Sequence, residues 1–343
     1  MTVLSRNSFP SPNIIFEQYQ YVVKKYLLFC VVVCVGLRVE GWGFFAHRLV
    51  NYHAVFLLPP EMLVLYKPNI EYLVEHSVDA DKRRYAVQDE GPRHYFDMDR
   101  YGKDEFASKD VTWKQACEKF PEDTLKTHGI VPWWIQVSLG RLVNAFKEGD
   151  KKKILRFSAD LAHYIGDAHV PLHASSNHNG QFTGQHGIHG FWESRIPELL
   201  AEKEWDYWLD KADYIRKPLH FIWKRVYESA LAADSVLLFE RELNTRFPAQ
   251  GKYAFENRNG ILVKQYSEAY SVEYNKMLNG MVERRFRESV YAVASFWYTA
   301  WVNAGQPDCR KIAQTAMNDS DSTEYEALNR QWRTGKINGK ACE

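Results

Sequence analysis

Asp150-Lys-Lys-Lys-Ile-Leu-Arg-Phe-Ser-Ala-Asp-Leu-Ala-His163-Tyr-Ile-Gly-Asp167-Ala-His-Val-Pro171-Leu-His173 opens with a helix cap and closes on imidazole and carboxylate groups. Asp150 is an N-cap residue type, so a helix is predicted from Lys151 to about His169, where Pro171 stops it. His163 and Asp167 are four apart and share one face of that helix, the spacing by which a helix presents two ligands to one ion. Beyond the break, His173 approaches from the turn. The stretch from Ser175 to Gly190 is rich in Gly, Asn, Ser and His and reads as a loop. A second four-apart pair follows it, His189-Gly-Phe-Trp-Glu193, at the start of another helix. A lone His/Asp pair at this spacing is often a surface ion pair. Two such pairs with His173 between them favour metal, and mixed imidazole and carboxylate ligands suit zinc. His169, His178 and His186 have no carboxylate at helical spacing and read as bystanders.

The rest of the chain is also helical in pattern. Helices are expected at Arg48–Leu57, from Pro60, over Trp133–Lys147 ending at Gly149, at Phe191–Lys203, about Lys217–Ser235, near Ser267–Asn279 and at Val282–Asn303. No convincing strand pair and no internal repeat stand out. The fold class expected is all-α: a single mostly helical domain, 42–308, with a metal cluster between helices. The polar tail, 309–343, is expected to pack loosely. Upstream of the long helices, Asp79-Ala-Asp81-Lys-Arg-Arg precedes Gly-Pro-Arg-His94. Alone this is a charged loop; beside the helical pairs it offers a carboxylate and an imidazole to the same ion.

The first residues read as a leader. Lys24-Lys25 precede an apolar run from Tyr26 to Gly36, too short for the ~20 residues of a membrane span and of signal-peptide length. Val39-Glu40-Gly41 suits cleavage after Gly41, which makes 1–41 a signal peptide with an upstream segment, Trp42 the mature N-terminus, and the protein secreted or periplasmic. Three cysteines then remain, Cys117, Cys309 and Cys342, an odd count without metal-site spacing. A Cys309–Cys342 bridge is open to them in an oxidising compartment. In 343 residues the net charge is +1, which gives no global pull toward nucleic acid or anionic membrane.

His163-Tyr-Ile-Gly-Asp167, then Pro-Leu-His173-Ala, then His189-x-x-x-Glu193 resembles the trinuclear-zinc superfamily of bacterial zinc-dependent phospholipases C and the single-strand-specific nucleases of fungi and plants. The resemblance runs from Trp42 to about Pro197. It implies about three zinc ions per chain. One would be held by Asp79, His94, His163 and Asp167, with Asp81 competing for the place of Asp79. A second would be held by His173, His189 and Glu193. The third would be held by His47, a bridging Asp167, and the backbone amine and carbonyl of Trp42. Glu193 follows the phospholipase branch, whereas the Trp42-to-His47 spacing follows the nuclease branch.

The function this implies is hydrolysis of a phosphodiester, phospholipase C-like, by attack of metal-bound hydroxide on phosphorus, with Asp79 orienting or deprotonating the water. The substrate expected is a phospholipid or another phosphodiester. A single-strand nuclease or 3′-nucleotidase with the same cluster is the alternative, and nucleic acid then becomes the substrate. No stable protein partner is implied. A non-catalytic protein with structural zinc is the third reading. The His173/His189/Glu193 set, with three protein ligands and an open position, argues for catalysis.

Overall fold

Proline sets several of the helix starts. Pro60, Pro132, Pro197 and Pro218 each stand in the first turn of a helix, where a missing N–H costs nothing. The computed structural model describes residues 43–102, 105–106, 110–258, 260–315, 320–338 and 340. The leader 1–41, Trp42 and Cys342 lie outside the described residues. All those described fall in one compact unit within Val39–Glu343.

In chain order the helices are α1 (Phe44–Phe56), α2 (Pro60–Tyr66), α3 (Ile70–His76), α4 (Asp79–Arg83), α5 (Trp113–Lys119), α6 (Glu122–Thr127), α7 (Val131–Glu148) and α8 (Lys151–Ala168). A 3-10 turn, Pro171–Ala174, follows. A helical turn at Ile188–Gly190 runs through a π-turn, Phe191–Arg195, into α9 (Ile196–Glu204). Then come α10 (Pro218–Arg246), the hairpin β1 (Tyr253–Arg258) and β2 (Ile261–Tyr266), α11 (Glu268–Met277), α12 (Met281–Asn303), α13 (Cys309–Ala313) and α14 (Ser320–Thr334). The protein is mostly helical, as expected.

Helices α7 and α8 form the central pair, joined by a tight corner. Gly149 closes α7 in the left-handed region at φ 66°, which a β-carbon disfavours. Asp150 then caps α8 by accepting the Lys153 N–H at 3.0 Å. Helix α12 packs on α1, α7 and α8, and α10 lies against the Pro171–Ala174 turn. The core between them is apolar and aromatic, including Trp192, Trp297, Tyr66 and Phe146, all fully buried. Two polar contacts fix its register. The Trp297 indole donates to the Ser158 carbonyl at 3.0 Å, and Tyr66 Oη bonds Ser158 Oγ at 2.8 Å. No described helix is long and apolar enough to cross a membrane.

Three expectations change. A strand pair exists: β1 and β2 run antiparallel with Tyr253 opposite Tyr266 and Arg258 opposite Ile261. Helix α10 continues well past Ser235 to Arg246. The C-terminal segment does not lie loosely. Tyr325, Leu328 and Trp332 recur at helical spacing on α14. Trp332 meets Phe44 at 5.3 Å between ring centroids, and Tyr325 Oη donates to Glu75 at 2.8 Å. The Lys82 ammonium sits 4.6 Å over the Tyr325 ring, and Lys340 pairs with Asp97. The Asn338 N–H donates to the Arg84 carbonyl at 2.8 Å. The segment thus straps α1, α4 and the 94–97 region together. Cys117 is a free, exposed thiol and Cys309 a free, buried one.

Candidate metal centre

Five pieces of chain converge on one buried cluster. Helix α8 contributes His163 and Asp167 from one face, α1 contributes His47, and α4 with the following turn contributes Asp81 and His94. The Pro171–Ala174 turn and the π-turn region contribute His173, His189 and Glu193. Three groups have ligand atoms close enough to hold a metal ion, all within 4.8 Å of one another: His47/His163/Asp167, Asp81/His94/His163 and His173/His189/Glu193. Every one of these residues is buried.

Asp167 lies at the centre. Its Oδ1 is 3.3 Å from His47 Nε2 and 3.8 Å from His173 Nε2. Its Oδ2 is 2.9 Å from His94 Nδ1 and 3.4 Å from His163 Nε2. One carboxylate therefore touches an imidazole from each of the three groups. Glu193 reaches two imidazoles, His189 Nε2 at 3.1 Å and His173 Nε2 at 3.5 Å. The His47 and His163 rings stack at 3.9 Å.

The backbone fixes which nitrogen points inward. His163 Nδ1 bonds the Ser77 carbonyl at 2.8 Å, His173 Nδ1 the His94 carbonyl at 2.7 Å, and His189 Nδ1 the His178 carbonyl at 2.9 Å. A carbonyl only accepts, so Nδ1 is the donor in each. In a neutral ring that leaves Nε2 as a lone pair directed at the cluster, the arrangement a metal-ligating histidine needs. Burial would normally leave such groups satisfied. Yet among the described residues Asp81 Oδ2, Asp167 Oδ1, both Glu193 oxygens, and Nε2 of His47 and His173 are buried without a hydrogen bond. Acceptor atoms converging in this way fit a divalent cation.

The electrostatics agree. Burial pushes Asp167 up, but His163 and His173 hold it well below the carboxylate range. Burial pushes His163 down, but Asp167 and Asp81 raise it to about 9. Asp81 and Glu193 are held low in the same way, Asp81 by His163 and Glu193 by His189, each against the upward push of burial. The carboxylates demand positive charge at the centre. A cation at the centre would supply that charge in place of imidazole protons.

Most of the sequence-expected ligands are here: His47, His94, His163, Asp167, His173, His189 and Glu193. Asp79 is not. Its Oδ2 bonds His76 Nδ1 at 2.6 Å and its Oδ1 accepts from Lys82 at 3.0 Å. Asp81 stands in its place, 3.6 Å from His163 Nε2 and 3.7 Å from His94 Nδ1. Both acids lie on the short α4, where residues two apart point about 200° apart around the axis, so only one faces the cluster. Asp79 instead braces α4 from outside. His169, His178 and His186 belong to none of the three groups.

The sequence reading also missed two supports. Buried Glu90 accepts from Tyr164 and lies 3.8 Å from His94 Nε2, holding that ring from behind. Gly43 is buried, its N–H donates to Ser194 Oγ at 3.1 Å, and a β-carbon on it would sit 2.5 Å from that oxygen. The backbone just after Trp42 thus passes directly against the residue following Glu193. Glycine is required there by close approach rather than by its dihedral angles. No family model matches the chain, and no curated protein matches it.

Proposed function

We propose that this chain is a secreted, zinc-dependent hydrolase of phosphodiesters, phospholipase C-like in its first-choice substrate. What supports the reading most is the set of Nε2 lone pairs and carboxylate oxygens turned into one buried cluster. Zinc at such a centre activates water near neutral pH and acts as a Lewis acid toward phosphoryl oxygens. Imidazole and carboxylate without thiolate suit zinc among the common ions.

The residues then have distinct tasks. His173, His189 and Glu193 would hold one ion, and three protein ligands leave a position for substrate. Asp81, His94 and His163, with Asp167, would hold a second. His47 and Asp167 would hold a third with the amine and carbonyl of Trp42. Asp167 would bridge two of these and fix their spacing. Asp81 Oδ2, buried and without a hydrogen bond among the described residues, would accept a hydrogen bond from a water at the centre, the orienting task expected of Asp79. Burial pushes Asp81 up but His163 holds it ionised, which leaves its oxygen able to accept a hydrogen bond from water. Burial lowers the local dielectric and strengthens each charge interaction during attack.

The test loads the mature protein with zinc and compares rates on bis(p-nitrophenyl) phosphate, phosphatidylcholine vesicles and single-stranded DNA. Hydrolysis of the soluble diester and the lipid, lost in chelator, is the expected result. Activity intact in chelator with no zinc by elemental analysis refutes the reading. Efficient cleavage of DNA with lipid untouched moves the substrate to nucleic acid and leaves the metal chemistry standing.

A further inference from the structure

The hairpin wears its polarity reversed. In the register of β1 and β2, Phe255 faces Lys264 and Asn257 faces Leu262, so these four share one side with the Tyr253–Tyr266 pair. Apart from Tyr266, which is buried against the body, that side is open to solvent: Phe255 and Leu262 are each 67 % exposed and Tyr253 39 %. The opposite side carries Glu256 and Arg258 beside the smaller Ala254, Val263 and Ile261. Glu256 bonds Arg195, and Arg258 bonds Glu198 on α9. A two-stranded hairpin ordinarily buries its apolar side and shows its polar side to water. Here two ion pairs and the buried Tyr266 ring hold the hairpin to the body, and Tyr253, Phe255 and Leu262 point outward.

Charge indicates what covers them. The outward side holds no acidic residue among those described. Lys264 has no carboxylate partner there and lies 4.3 Å over the Tyr253 ring. Apolar side chains flanked by Tyr and Lys are what a bilayer interface accommodates, with the ammonium near the headgroups and the apolar groups below. A second copy of the chain is less suited. A stable dimer needs about 800 Å² from each partner, more than a handful of hairpin side chains provides.

The hairpin is also joined to the proposed centre. Arg195, on the π-turn that carries Glu193, donates to the Tyr266 carbonyl at 3.0 Å, and Phe191 on the same turn stacks on Tyr266 at 3.8 Å. We infer that the outward side of this hairpin is a docking surface for an anionic lipid bilayer and holds the His189/Glu193 end of the cluster at the membrane. The inference rests on the phosphodiesterase reading for its purpose, whereas adsorption is measured without turnover.

The experiment uses the zinc-loaded mature protein and sedimentation with vesicles of phosphatidylcholine, with and without phosphatidylserine. Wild type is expected to bind the serine-containing vesicles more tightly. The double variant Phe255→Ser/Leu262→Ser should lose on the order of a hundredfold in partitioning, from the apolar transfer of two side chains. Lys264→Glu should abolish the preference for phosphatidylserine. All three proteins should keep the same elution volume and the same rate on bis(p-nitrophenyl) phosphate. Equal vesicle binding by wild type and the double variant overturns the inference, as does no binding by wild type. A change of oligomeric state in the variants also overturns it and makes the face a self-contact. If vesicle binding drops as expected while no form cleaves the soluble diester, the docking surface stands and the phosphodiesterase reading fails.

Discussion

Asp167→Asn should be the most damaging single change at the proposed centre. The substitution keeps shape and volume, removes the charge and turns one acceptor oxygen into an amide donor. Asp167 lies within 4 Å of four imidazoles drawn from all three groups, whereas Glu193 lies that close to two, both in one group. Losing even a hydrogen-bond partner behind a ligand costs roughly 10–100-fold in metal affinity. Neutralising a ligand costs no less, so Glu193→Gln should weaken one ion by about 1.4–2.8 kcal/mol. Asp167→Asn acts on two, and the product is about 10²–10⁴-fold, or roughly 3–5.5 kcal/mol. The assay is zinc per chain after dialysis against a zinc buffer, together with the rate on bis(p-nitrophenyl) phosphate at each free zinc level. Asp167→Asn should lose about two ions and stay inactive at zinc levels that restore Glu193→Gln. Equal zinc loss and equal residual rates in the two variants would refute the bridging role.

Two further outcomes separate neighbouring residues and conditions. Asp81→Asn should lose zinc and activity, whereas Asp79→Asn should keep zinc and lower thermal stability by the ~1–3 kcal/mol of a broken, largely buried ion-pair contact; zinc loss confined to Asp79→Asn would restore Asp79 as the ligand. His53, stacked on Tyr207 at 3.8 Å, is pushed by burial down to about 4 from 6.5. Between those values the unfolded chain binds a proton at this ring and the folded one does not. The contribution is therefore fully present above 6.5 and lost as pH falls toward 4, about 1–2 kcal/mol after allowance for the ring's partial exposure. His53→Phe should flatten the melting temperature in that window, and an unchanged pH profile would show the ring is not the source.

The parts of the site carried by local spacing were legible in the sequence. His163 and Asp167 share a helix face by geometry alone, and His189 and Glu193 do so across a π-turn that the four-residue spacing survives. Asp79 against Asp81 was not legible, because a charged five-residue helix carries no apolar stripe to say which side faces inward. His76 and Lys82 decide it, and both are contacts seen only in three dimensions. The hairpin had a signal that went unused: Asn259-Gly260 between two β-prone runs is a strong turn marker. Its outward apolar side chains break the usual alternation of inside and outside, which hides strands from a reader looking for a core. The strap at the C-terminus was masked by composition. Tyr325, Leu328 and Trp332 are sparse among charges, and their partners, Phe44 and Glu75, lie near the other end of the chain.

The three groups differ in how much chain each must close. His173, His189 and Glu193 come from a single short run, so bringing them together encloses a small loop. His47 meets His163 and Asp167 only after α2 to α7 have been laid down between them. Closure entropy grows with the logarithm of the enclosed length, and contacts distant in sequence form late. The proposed zinc centre therefore assembles in an order written along the chain. By that argument the His173/His189/Glu193 group, which encloses the shorter loop, is expected to close before His47 docks on α8.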